Sequence, residues 1–165
     1  AILQKARQID ILNQILPLVL KKDQLNKILD QVEKYRADMK KLDLLEYNEL
    51  KTLETKYDAA LKAAYEKSQI PSRELMVDTA NKFKTFSLSR DAVGRGHAMT
   101  LVEIVEKELN AGQKKAMMNA LTPQLYNPTI DPKEMTDTKK IQFFVEIILL
   151  DPAAYDVLVK LAAKK

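Results

Sequence analysis

The 165 residues amount to one domain's worth of chain, with 46% hydrophobic and 30% charged residues, proportions close to those of ordinary globular proteins. Glycine occurs only three times and tryptophan not at all, so an all-β fold, which needs many turn glycines, is excluded and an all-α fold is expected. The formal charge of +4 is spread among interleaved acids and bases, which reads as solvated helix faces and not as the basic stripe of a nucleic-acid binder. The absence of cysteine removes disulfides and thiolate chemistry and is compatible with either redox compartment.

Apolar residues at Ile2, Leu3, Ile9, Leu12, Ile15 and Leu16 predict a short amphipathic helix that Pro17 disrupts. From Asp23 to about Lys67 the chain has neither Gly nor Pro. Its stripe Leu25, Ile28, Val32, Tyr35, Met39, Leu42, Leu50, Leu53, Tyr57, Ala60, Leu61 and Ala64 advances by threes and fours. An unbroken helix here would span about 65 Å. A compact globule of this mass is only about 30–35 Å across. An elongated or curved molecule, or one paired with another copy, is therefore expected. Ile70-Pro71-Ser72 ends that helix, and Ser72 opens the next, whose stripe runs from Leu75 through Phe83, Phe86, Val93 and His97 to Ile104, ending near Leu109. Gly94 and Gly96 fall inside it, where they predict close packing by a neighbour or a mild bend. The two long helices read as an antiparallel hairpin.

A short helix over 111–121 follows, then a Pro-punctuated segment over 122–135. Thr136 caps a helix through Leu149, and Asp151-Pro152 starts a last helix to about Leu161. The apolar run Phe143–Leu150 is expected either to plug the open face of the hairpin or to form a subunit interface. Neither it nor Ile15–Leu20 approaches the roughly 20 residues of a membrane span. A chain beginning without Met and without a charged-then-apolar leader is expected to be a processed or trimmed product, and a removed signal peptide fits that expectation.

Leu20-Lys21-Lys22-Asp23-Gln24 and Leu109-Asn110-Ala111-Gly112-Gln113 share a Leu-x-x-x-Gln pattern, one at each side of the long-helix pair. This resembles the paired LTxxQ signature of the Spy/CpxP-like periplasmic proteins. Its physical sense is a capping box: the N-cap side chain bonds the N3 amide, Gln at N3 reaches back, and the preceding Leu is the staple. Asn110 substitutes well for the family's Thr; Lys21 does not, which leaves Gln24 without its reciprocal partner. Leu121-Thr122-Pro123-Gln124 looks similar but places its Gln one position early. The resemblance covers roughly 18–121, a family-like core in a single all-helical domain over 1–165, and leaves 122–165 outside as a Pro-rich segment plus a C-terminal helical pair. It implies a thin, curved helical cradle, usually dimeric, in the bacterial periplasm or cell envelope. It also implies ATP-independent chaperone activity or modulation of envelope stress, and partners that are unfolded or other polypeptides.

No catalytic constellation accompanies this. His97 is the only histidine, so Ser–His–Asp or Cys–His arrangements have no support and a transition-metal site would rest on one imidazole plus carboxylates. His97 is expected to pack on the apolar stripe. Glu46 and Glu49, and Glu103, Glu106 and Glu108, could hold a hard cation in principle, but the Glu-x-x-His pairs of di-iron bundles are missing, and solvated faces are expected. Neither a cofactor nor a metal site nor nucleic acid is expected. The candidate contact residues for a client or an interface are Phe83 and Phe86 beside Lys82 and Lys84, Met117 and Met118 among the six scattered methionines, and Phe143 and Phe144. The competing reading is a structural helical subunit of a larger cell-surface or filament assembly.

Overall fold

The computed structural model describes residues 2–164, and among them every regular element is helical. Helix α1 spans Ile2–Ile15 and tightens into a 3-10 turn over Leu16–Leu18, where Pro17 is tolerated because its missing N–H falls in a first turn. Then come α2 (Lys22–Lys51), α3 (Glu54–Lys67), α4 (Arg73–Glu108) and α5 (Ala111–Asn119). A short 3-10 turn over Pro123–Leu125 precedes α6 (Asp137–Phe144). That helix widens into one π turn over Val145–Leu149, and α7 (Ala154–Lys164) closes the sequence. No helix is long and apolar enough to cross a membrane among the described residues.

The all-α class follows the composition, but the expected unbroken rod over 23–67 does not form. It is interrupted at Thr52-Leu53. The Thr52 hydroxyl donates to the Glu49 carbonyl at 2.6 Å, and the Leu53 amide bonds Leu50 O in an i→i+3 step at 2.9 Å. A Thr hydroxyl competing for backbone carbonyls is a known way to loosen a helix turn, and it needs neither Gly nor Pro. At the far end Ser68 adopts the left-handed conformation (φ 54°), and its amide and that of Gln69 bond the last α3 carbonyls. The Ser72 hydroxyl then accepts from the Leu75 amide at 3.2 Å, the cap that starts α4.

Contacts divide the chain into two compact units. Unit 1 comprises residues 1–35 and 95–165, and unit 2 comprises 36–94. Unit 1 holds the hydrophobic core: Ile11 and Ile15 of α1, Leu25, Ile28 and Val32 of α2, and Leu101 and Val105 of α4 meet Met117, Phe144, Ile148 and Leu158, each under 3% exposed. The segment 122–165, outside the family-like region by sequence, thus supplies a large part of this core. The run Phe143–Leu150 packs inward there, and its two most buried faces, Phe144-Val145 and Ile148-Leu149, leave no solvent access. The spacing of four puts both pairs on one helix face, and the run ends in a π turn closed by Leu150 N–H to Val145 O at 3.0 Å.

Unit 2 is built differently. Its buried hydrophobic residues among those described are Leu53 and Leu75, 7% and 8% exposed. What joins its helices is largely polar: Tyr57 Oη to Thr79 Oγ1 at 2.8 Å, Lys82 to Glu49 at 2.6 Å, and Arg90 to both Glu46 and Asp43. As α4 positions rise from 79 to 90 their partners fall from 57 to 43, so these pairings run antiparallel. Gly94 and Gly96 lie within continuous α4, and a Cβ at either would meet nothing within 4 Å. The close packing expected of them is absent: Gly96 is exposed, and half-buried Gly94 has open space where a Cβ would stand.

Candidate functional site

Two features stand out: a buried glutamine junction in unit 1 and an uncovered apolar surface in unit 2.

The junction grows from the two Leu-x-x-x-Gln segments. Asn110, extended at φ −76° and ψ 169°, caps α5 by accepting from the Gln113 amide at 2.9 Å. Gln113 Oε1 accepts from the Asn110 amide at 3.0 Å, completing a capping box. At the other site Lys21 offers no side-chain cap, yet Gln24 Oε1 still accepts from the Lys21 amide at 2.9 Å. The reciprocal partner missing from its own segment comes instead from the second one. Gln24 Nε2 donates to Gln113 Oε1 and Gln113 Nε2 donates to Gln24 Oε1, both at 3.0 Å, a cyclic amide pair between residues 89 apart in sequence. The remaining N–H groups reach Glu108 O at 2.7 Å from Gln24, and Leu18 O at 3.1 Å and Val19 O at 3.3 Å from Gln113. Leu20 and Leu109, the staple positions, are buried at 2% and 4% exposure. Every buried side-chain N or O among the described residues has a partner, so the network is of the fully satisfied kind that fixes one arrangement. Val19 is the strained member: a β-branched residue at φ 47°, three-quarters exposed, with its carbonyl turned to Gln113.

In unit 2 the apolar residues face solvent. Phe83 is 55% exposed and stacks edge-to-face on half-buried Phe86 with ring centroids 5.9 Å apart. Leu45, Tyr47, Leu61, Met76 and Leu88 are all more than half exposed. Leu42, Leu45 and Phe86 floor an open groove of about 490 Å³, flanked by Glu46, Glu49, Lys82 and Ser89. The Lys82–Glu49 and Arg90–Glu46 pairs place fixed charges beside that floor. The Arg90 guanidinium is raised above its ordinary pKa, first by its hydrogen bond to Glu46 and then by that to Asp43.

The sequence-nominated contact residues separate accordingly. Phe83 is available and Phe86 partly so, but Met117 and Phe144 lie in the unit 1 core at 1% and 0% exposure and offer no contact surface. Met118 and Phe143 are half-buried, the latter edge-on to Tyr126 with centroids 5.5 Å apart. His97 is half-buried, its Nδ1 2.9 Å from the Gln31 amide and its ring edge-on to Tyr35. Of the carboxylates weighed as cation ligands, Glu46 and Glu49 pair with Arg90 and Lys82, Glu106 with Lys114 at 3.0 Å, and Glu108 with Lys27 at 2.6 Å. No group of three or more potential metal ligands occurs among the described residues.

Two anchors were not nominated from sequence. Gln31 is a buried polar residue at 8% exposure on an otherwise apolar stripe. Arg7 ties α1 to the C-terminal region through Asp151 Oδ2 at 2.8 Å and Ile147 O at 3.0 Å, besides its pair with Asp10. Desolvation lowers the Arg7 pKa, but the hydrogen bond and charge of Asp151 outweigh it and the net shift is upward. Ile147 lies in the last turn before the helical run ends at Leu149, where carbonyls have no intrahelical partner, so its oxygen can accept from Arg7.

These geometries define an all-α protein without pointing to a known relative. Comparison with protein-family models, with curated proteins and with solved structures found no match.

Proposed function

We propose that this chain is a non-enzymatic polypeptide-binding module of chaperone-like kind, acting without nucleotide or cofactor, and that unit 2 carries the binding surface. The observation behind this reading is the mismatch in unit 2 between its supply of large apolar side chains and the two, Leu53 and Leu75, that it buries. Side chains such as Phe83, Leu45 and Met76 supply non-directional affinity for unrelated apolar segments, while the neighbouring ion pairs keep the free surface hydrated. The doubled glutamine motif and the paired long helices favour a Spy/CpxP-like cradle and hairpin, and with it an envelope or periplasmic setting.

The test is suppression of aggregation. A reduced or chemically unfolded client is followed by light scattering with the chain at equimolar ratio. Suppression is expected, and it should fall severalfold in the Leu45→Ser/Phe83→Ser double variant while the far-UV CD spectrum is kept. A chain that leaves scattering unchanged at several-fold molar excess would overturn the proposal.

A further inference from the structure

We infer that the outer face of α1 is a coiled-coil seam for the same helix of a second copy of this chain, docked parallel and in register. Helix α1 is apolar on two opposite sides. One, Ile11 and Ile15, is buried in the unit 1 core at 0% and 2% exposure. The other carries Ile2 and Ile9, continued by Leu16 at the start of the 3-10 turn, spaced by seven and 81%, 67% and 55% exposed, with exposed Ala6 and Asn13 between them. A helix apolar on both sides is the mark of one covered from both sides.

The order Ile2, Ala6, Ile9, Asn13, Leu16 alternates steps of four and three, which is the d-a-d-a-d register of a heptad seam. Three consequences of that register name the occupant. Asn13 falls at an a position, where a polar amide pairs best with its own counterpart and selects two parallel strands in register. Taken alone, isoleucine at d would admit higher orders, so this asparagine sets the number. Lys5 then occupies a g position and Asp10 the e position of the next heptad, five residues on. In a parallel pair each Lys5 faces the Asp10 of the other copy, two opposite-charge contacts that an antiparallel pair would lose. Asp10 keeps its intrachain partner Arg7 and remains 44% exposed at the side chain, so its second oxygen face can take the incoming ammonium. Finally, Pro17 ends the seam on its C-terminal side, and the described residues before it hold two heptads. So short a coil is weak in isolation. Here α1 is held in place by Ile11, Ile15 and the Arg7 bonds to Asp151 and Ile147 O, so little ordering entropy remains to be lost on pairing. This inference is independent of the polypeptide-binding surface, which lies in unit 2.

The full chain is tested in three ways. In sedimentation equilibrium from low micromolar to several hundred micromolar, a reversible monomer–dimer equilibrium is expected. Ile9→Asp, at an exposed site, should weaken it by about a hundredfold or more while leaving the far-UV CD unchanged. Because the sequence has no cysteine, Ala6→Cys, at the other a position, reports orientation with Asn13 kept. On mild oxidation it should form a disulfide-linked dimer rapidly, whereas Ser87→Cys, exposed in unit 2, should not. A chain monomeric at every concentration overturns the inference, as does a dimer indifferent to Ile9→Asp. Equal cross-linking at both cysteines, or none at Ala6→Cys, also overturns it. A monomer that instead co-sediments with phosphatidylglycerol vesicles through α1 would give that face to lipid and reject the second copy.

Discussion

Replacing Gln113 tests the junction most directly, because one carboxamide there serves both motif segments. Its oxygen accepts from the Asn110 amide and Gln24, and its N–H groups reach Leu18 O, Val19 O and Gln24 Oε1. Gln113→Ala leaves the buried Leu18 carbonyl and one side of the Gln24 amide without partners. Each buried unsatisfied group costs about 1–3 kcal/mol. Gln24 keeps Lys21 N–H and Glu108 O, and the Asn110 amide lies near solvent. A loss of about 2–4 kcal/mol is therefore expected, read from urea unfolding followed by circular dichroism. Gln24→Ala should cost a similar amount, and the double variant markedly less than the sum, because the two share their mutual bonds.

Gln113→Glu sharpens the same test. Protonated, the introduced carboxyl can donate where the amide does. Ionised, it sets negative charge against Leu18 O, Val19 O and Gln24 Oε1. Its folded-state pKa is thus raised above the roughly 4.3 of an unfolded glutamate. The sign follows from linkage: the variant should be nearest to wild type below that value and lose stability as pH rises through the folded pKa, where the parent shows no such loss. A Gln113→Ala cost below about 0.5 kcal/mol, or a Gln113→Glu variant as stable at neutral pH as at acid pH, would refute the junction as a determinant of the fold.

The backbone offers simpler gains. Val19→Gly and Ser68→Gly each relieve a left-handed residue outside the core (φ 47° and 54°) and should raise stability by about 0.5–1 kcal/mol in the same assay. Gly96→Ala, at a helical position where a Cβ meets nothing, should add a comparable amount, about 0.4–1 kcal/mol. Arg7→Ala removes the bonds to Asp151 and Ile147 O and should increase hydrogen exchange in α1 by about tenfold or more, with a global cost on the order of 1–3 kcal/mol. Thr52→Ala, which frees the Glu49 carbonyl, should raise helix content measurably by far-UV CD if that hydroxyl is what interrupts the helix.

By itself the sequence settled what local chemistry controls. Steps of three and four, sparse glycine and the caps at Ser72, Asn110 and Thr136 determine that the chain is helical and where most helices begin, because capping and amphipathicity act within a turn or two. It also marked Gln24 and Gln113 as a matched pair of positions. Their partnership lay beyond it, since a bond across 89 residues depends on how α2 and α5 pack. Packing likewise decided which apolar residues were core. Phe144 and Phe83 are equivalent by composition, yet one is sealed in unit 1 and the other left more than half exposed, because α5 packs on the helix of the first while beside the second Lys82 makes only an ion pair with Glu49. The break at Thr52-Leu53 escaped notice for a related reason: Thr is an ordinary helix residue until its hydroxyl takes a carbonyl from the ladder. Periodicity sets which side of a helix is apolar, and only tertiary structure determines whether anything covers it.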